Sequence, residues 1–160
     1  MPIPRPHSKP CILYNHFLDA ALEEVARLWS KREPWVDLNL QRSYLQFRQP
    51  KDRRCHFEIL VRSKEIWLCL DFESGSQEWI RSVAGNIMDR RSQIDQVLGE
   101  PLEGEVDDYR TMARVHVARD YDRDSRADAQ TAVEDMRKFM DALEPHLKKA
   151  LAEVGEIEKA

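Results

Sequence analysis

Residues 55–73 constrain the chain most. Cys55-His56-Phe57-Glu58-Ile59-Leu60-Val61-Arg62 and Ile66-Trp67-Leu68-Cys69-Leu70-Asp71-Phe72-Glu73 are two apolar, β-branched and aromatic runs separated only by Ser63-Lys64-Glu65. Such runs around a short polar break form a β-hairpin. Phe57, Ile59 and Val61 alternate onto one face, as do Ile66, Leu68, Leu70 and Phe72, because successive strand side chains point to opposite sides. A long amphipathic stripe follows (Trp79, Ile80, Val83, Ile87, Ile94, Val97, Leu98) and predicts a helix covering that face.

Around this centre the remaining elements can be placed. Residues 1–10 contain four prolines and are expected to form an extended arm. Leu18, Ala21, Leu22, Val25, Leu28 and Trp29 recur at helical spacing, predicting a helix over 15–32 with Pro34 supporting its stop. Residues 43–48 alternate as a first strand and 49–54 read as a polar loop. Ser74-Gly75-Ser76 offers a hydroxyl cap to the next helix, and Gly99 followed by Pro101 ends it. Residues 100–108, with five carboxylates and no base, read as a solvated loop. Ala113, Val115 and Val117 alternate with Arg114, His116 and Arg119 as a fourth strand. A last helix begins near Asp128, with Ala129, Ala132, Val133, Met136, Met140 and Leu143 inward and a kink or restart expected at Pro145.

The fold class is therefore α+β, in the order αβββαβα, with a four-stranded mostly antiparallel sheet packed against helices. The expected organisation is a proline-rich arm (1–12), one α+β domain (13–152) and a frayed acidic tail (153–160).

Composition narrows function by exclusion. With 160 residues, 42% hydrophobic and 34% charged, the chain suits one core with a heavily solvated surface. A net charge of -4 argues against nucleic-acid binding through overall charge. Cys11, Cys55 and Cys69 are odd in number and form no CxxC pair, as expected of reduced thiols. No run approaches the roughly 18 apolar residues of a membrane helix, and the N-terminal prolines stand where a signal peptide has its apolar core. A cytoplasmic protein with no membrane partner is expected. Glycine-rich phosphate loops, GxSxG and HExxH patterns are absent from the sequence.

The hairpin, the phrase Ile94-Asp95-Gln96-Val97-Leu98-Gly99 and the strand Arg114-Val115-His116-Val117 resemble the DUF4268 family. These are small domains of unknown function found alone or attached to bacterial defence and nuclease-related proteins. The likeness spans about residues 14–151. It implies a fold and a setting, and it carries over no catalytic residue.

Separately, an αβββαβ order is similar to the core of the PD-(D/E)xK nucleases, which hold a divalent metal on an Asp of the second strand and a Glu-x-Lys of the third. Here the matching positions offer Glu58, Asp71 and Glu73, and no Lys stands two residues after either third-strand acid. An inactive relative is expected from that departure, with Mg2+ implied only if the site has migrated.

The residues with chemistry each have a plainer alternative. Glu58, Asp71, Glu73 and His56 fall opposite the core face, where a metal cluster is conceivable but a solvated polar face is the expectation. His116 and Cys69 also alternate outward, and nothing in the sequence supplies Cys69 with a cation and a base. Leu60 and Trp67 place apolar surface on that same side, to be covered by the chain itself or by a partner. Arg48, Lys51, Arg53, Arg54, Arg62 and Lys64 form the one local basic stretch and could meet phosphates, with Tyr44 or Trp67 as a stacking platform. The expected function is a non-enzymatic binding or regulatory domain with no cofactor, acting on a protein partner or as a homodimer. The alternatives are a metal-dependent nuclease with a degenerate site and a nucleic-acid-binding module.

Overall fold

A computed structural model describes residues 9–29, 35, 37–49, 52–105 and 112–159. Its elements are α1 (Lys9–Leu28), β1 (Asp37–Leu40), β2 (Tyr44–Gln49), β3 (Asp52–Val61), β4 (Ile66–Glu73), α2 (Gln77–Asp89), α3 (Arg91–Leu98), β5 (Glu103–Glu105), β6 (Met112–Arg119) and α4 (Arg126–Lys159). The α+β class stands, but among the described residues the sheet has six strands rather than four, in the order β1-β2-β3-β4-β6-β5, and each of these pairings is antiparallel.

The β3–β4 hairpin is central, as its alternation requires. Phe47, Phe57, Leu70 and Val115 are successive register partners across four strands. All four side chains are fully buried in one apolar cluster with α1, α2 and α4. The α4 stripe (Ala129, Val133, Met136, Leu143, Leu147) enters the same cluster. Trp35 sets its ring edge-on to Phe57, centroids 4.8 Å apart. The helices approach β2, β3, β4 and β6, α2 and α4 also pack together, and α1 lies along α4.

Several expectations are corrected. Helix α1 begins at Lys9, so residues 9–12 belong to a helix rather than to an arm; Pro10 lies in its first turn, where a missing N–H costs nothing. Residues 1–8 of the expected arm lie outside the described residues. The stripe expected as one helix is broken at Arg90 (φ -99°, ψ 11°), whose N–H bonds back to Ile87 and Met88. Ser76 caps α2 as expected, accepting from the Trp79 N–H at 3.2 Å, and Gly99 closes α3 in the left-handed conformation at φ 75°. Two short strands, β1 and β5, were not expected: Asp37-Leu38-Asn39-Leu40 alternates over only four residues, and Glu103-Gly104-Glu105 carries no apolar residue. Helix α4 runs unbroken through Pro145. One N–H is lost there, while Leu143 and Leu147 on either side remain buried. Nor is the tail frayed from residue 153: Glu153 binds Asn86 at 2.6 Å and Arg90 at 2.8 Å, and Val154 is buried.

Candidate functional site

The sheet face opposite the helices carries two rows of polar residues across the strands. Register places Arg48, His56, Asp71 and Arg114 as successive partners, and Gln46, Glu58, Cys69 and His116 as the row beside them. Neighbouring strands are about 4.8 Å apart, so these side chains meet.

At the centre, Arg114 grips Asp71 with two bonds, Nε to Oδ1 at 2.7 Å and Nη2 to Oδ2 at 2.8 Å. Its Nη2 also reaches Glu58 Oε2 at 3.3 Å. His56 Nε2 lies 3.2 Å from Asp71 Oδ2 and 3.6 Å from Glu58 Oε1. The Gln46 amide donates to Glu58 Oε1 at 3.2 Å and accepts from Asn39, which accepts in turn from Gln41.

The four ionisable residues are 0–7% exposed. The expected solvated face is therefore a buried charge network. Burying a charge is costly unless it is paired and hydrogen-bonded, and here two carboxylates meet one guanidinium and one imidazole. Burial by itself would lower the His56 pKa, but its bonds to Asp71 and Glu58 outweigh that and push it up to about 9. Protonated His56 makes the quartet electrically neutral. Burial also works against ionisation of Asp71, yet Arg114 and His56 hold its pKa below the ordinary value. Glu58 goes the other way: burial, joined by the Asp71 charge, raises its pKa against the pull of His56 and Arg114. Asp71 is thus the committed anion and Glu58 the acid more easily protonated.

Ligand atoms of His56, Glu58 and Asp71 lie within 4.8 Å of one another, a spacing a metal ion could bridge. Both Asp71 oxygens and both Glu58 oxygens already accept hydrogen bonds. A divalent ion would have to displace Arg114 or lie beside its positive charge. Glu73, the third acid expected here, is exposed at the end of β4 opposite Met112 and does not join the cluster.

Trp67 is 8% exposed. Its ring stacks on His116 at 3.6 Å with a 9° interplanar angle, Arg62 packs over it at 4.2 Å, and its Nε1 donates to Glu65 at 2.9 Å. The apolar partner surface expected at Trp67 is covered from within the chain, and Leu60 beside it is half-buried. Cys69 is fully buried and its thiol pKa is raised well above the ordinary value by that burial; burial pushes Cys55 up to about 12. Both thiols are closed off from solvent.

The basic stretch is largely paired. Arg48 and Arg53 both bind Asp37, at 3.4 and 2.9 Å. Arg54 binds Asp52 through two nitrogens at 3.0 Å and packs over Trp79. Lys64 is exposed, and Lys51 lies outside the described residues.

Arg114 and Gln46 are the network members that sequence reasoning missed. Outward parity on their strands was the only signal, since parity does not show which charges meet across non-consecutive strands. No family model matches the chain, and no curated protein matches it either.

Proposed function

We propose that this chain is a small non-enzymatic binding or regulatory domain whose partner is a protein or a second copy of itself. Its setting would be the bacterial cytoplasm, in the defence context that the DUF4268 resemblance implies. Among the described residues no helix is long and apolar enough to cross a membrane.

One observation carries the non-enzymatic reading. The two acids best placed for chemistry, Glu58 and Asp71, are closed off by Arg114, with His56 and Gln46 taking up lone pairs that remain. Catalytic carboxylates need lone pairs directed at a metal, a water or a substrate. These are directed at a neighbouring cation.

Two measurements test the reading together. Titration calorimetry with Mg2+ and Mn2+ should give no binding heat, and sedimentation across a concentration series should show mass rising above that of one chain, or a monomer that awaits a different protein. Saturable metal binding lost in Asp71→Asn would overturn it.

The second reading, a metal-dependent nuclease with a degenerate site, is favoured by the clustering of the His56, Glu58 and Asp71 ligand atoms. It requires DNA or RNA cleavage in Mg2+ or Mn2+ that disappears in Glu58→Gln.

A further inference from the structure

Strand β5 lies at one edge of the sheet, and among the described residues it pairs with β6 alone. Its sequence is Glu103-Gly104-Glu105, so it brings no apolar side chain to the core. The register sets Glu103 beside His116 of the polar face, and Gly104 beside Val115, which is fully buried. Gly104 is therefore the β5 residue on the core face, and it has no side chain to insert there.

Met88, near the end of α2, fills that place. A Cβ on Gly104 would stand 2.8 Å from Met88 Sδ and 2.9 Å from its Cε, so the thioether lies directly on the glycine backbone. Met88 is half-buried and Gly104 is exposed, which puts the contact at the protein surface. Just before the strand, Leu102 is fully buried and its N–H donates to Asp95 Oδ1 at 2.8 Å. β5 is thus anchored at one end by Leu102, along its length by the β6 ladder, and on its core side by the Met88 thioether.

We propose that Met88 is an oxidation site that latches β5 to the sheet. Hydrogen peroxide transfers one oxygen to Sδ: its O–O bond breaks, an S–O bond forms, the sulfur gives up two electrons and water leaves. The sulfoxide is polar, and its oxygen adds bulk to a group already in contact with backbone. β5 then parts from β6 with Leu102 as its pivot. The N–H and C=O groups that β6 had turned to β5 become free to pair with another strand. This latch is separate from the buried quartet and independent of the non-enzymatic reading.

The test adds hydrogen peroxide to the full chain and reads peptide mapping together with amide hydrogen exchange. Met88 is expected to gain oxygen ahead of Met136 and Met140, which are 0% and 4% exposed. In the Met88 sulfoxide, exchange at residues 103–105 should quicken about tenfold, while the centres of β3 and β4 stay protected. Methionine sulfoxide reductases should reverse the change. Met88→Leu keeps an apolar side chain of similar volume without the sulfur, and peroxide should leave its exchange at 103–105 unaltered. The proposal is overturned if Met88 is oxidised no faster than the buried methionines, or if its sulfoxide exchanges like the native chain. A peroxide effect that persists in Met88→Leu also overturns it, and would assign the change to another group such as Met112, half-buried at the start of β6.

Discussion

Arg114 Nε and Nη2 hold the two oxygens of Asp71 at 2.7 and 2.8 Å in a side-on pair that is almost wholly buried, 43 residues apart in sequence. Breaking a buried pair by removing one partner leaves an uncompensated charge and costs about 3–5 kcal/mol. Arg114→Leu should therefore lower the unfolding free energy by about that much in urea denaturation. Arg114→Leu combined with Asp71→Leu should cost clearly less than Arg114→Leu alone, because Glu58 and His56 still neutralise each other. A double variant as unstable as the single would show that the pair is not the source of the loss.

His56 gives the network a pH dependence of definite sign. Its pKa is raised from an ordinary value of about 6.5 to about 9 in the folded chain. A group whose folded pKa is raised contributes stability that is complete below the unfolded pKa and lost as pH rises through the folded one. Stability should fall between about pH 6.5 and 9 by about 3 kcal/mol, the value of such a shift. Glu58, also raised, adds a loss in the same direction that begins nearer its ordinary range. Urea midpoints at pH 6 and pH 9.5 check this, and His56→Asn should flatten the alkaline part of the slope. An unchanged slope in that variant would remove His56 as its cause.

Trp67 alters how a dimer should be sought. Covered by His116 and Arg62 and bonded to Glu65, it would carry a new charge into a buried position if replaced by Glu. Trp67→Glu should abolish cooperative unfolding in circular dichroism, so loss of association in that variant would report on folding. Trp67→Phe keeps a ring to stack on His116 and should retain the fold while losing the indole bond to Glu65, at a cost of about 1 kcal/mol.

The limits of sequence reading are local and physical. The β3–β4 hairpin and β6 were legible because one face is buried and alternation follows. β1 was not, because its alternation, with Leu38 and Leu40 against the core and Asn39 bonded to Gln46, runs over only four half-buried residues. β5 is Glu-Gly-Glu, held by pairing with β6 rather than by apolar content. The break at Arg90 interrupts the backbone but not the spacing of the apolar stripe, so periodicity passes over it. At the site, parity placed Glu58 and Asp71 on one face correctly, yet whether that face is wet depends on burial and on neighbours from a non-consecutive strand. Arg114 reaches Asp71 only because β6 lies against β4, a pairing that residue patterns within each strand do not encode.

Two glycines should respond oppositely to the same change. Gly99 has φ 75° and ends α3; alanine there must adopt the left-handed region, at a cost of about 1–2 kcal/mol. Gly85 lies inside α2, and beyond its chain neighbours and its own helix backbone no atom lies within 4 Å of where a Cβ would stand. Alanine at that position gains helix propensity and restricts the unfolded chain, a benefit of about 0.5–1 kcal/mol. In thermal melts Gly85→Ala should raise the midpoint and Gly99→Ala should lower it. Because both flank the Arg90 break, the double variant should come out at the sum, between neutral and about 1.5 kcal/mol destabilised, if α2 and α3 form independently. A net shift well outside the sum would mean that the conformation at Arg90 couples the two helices.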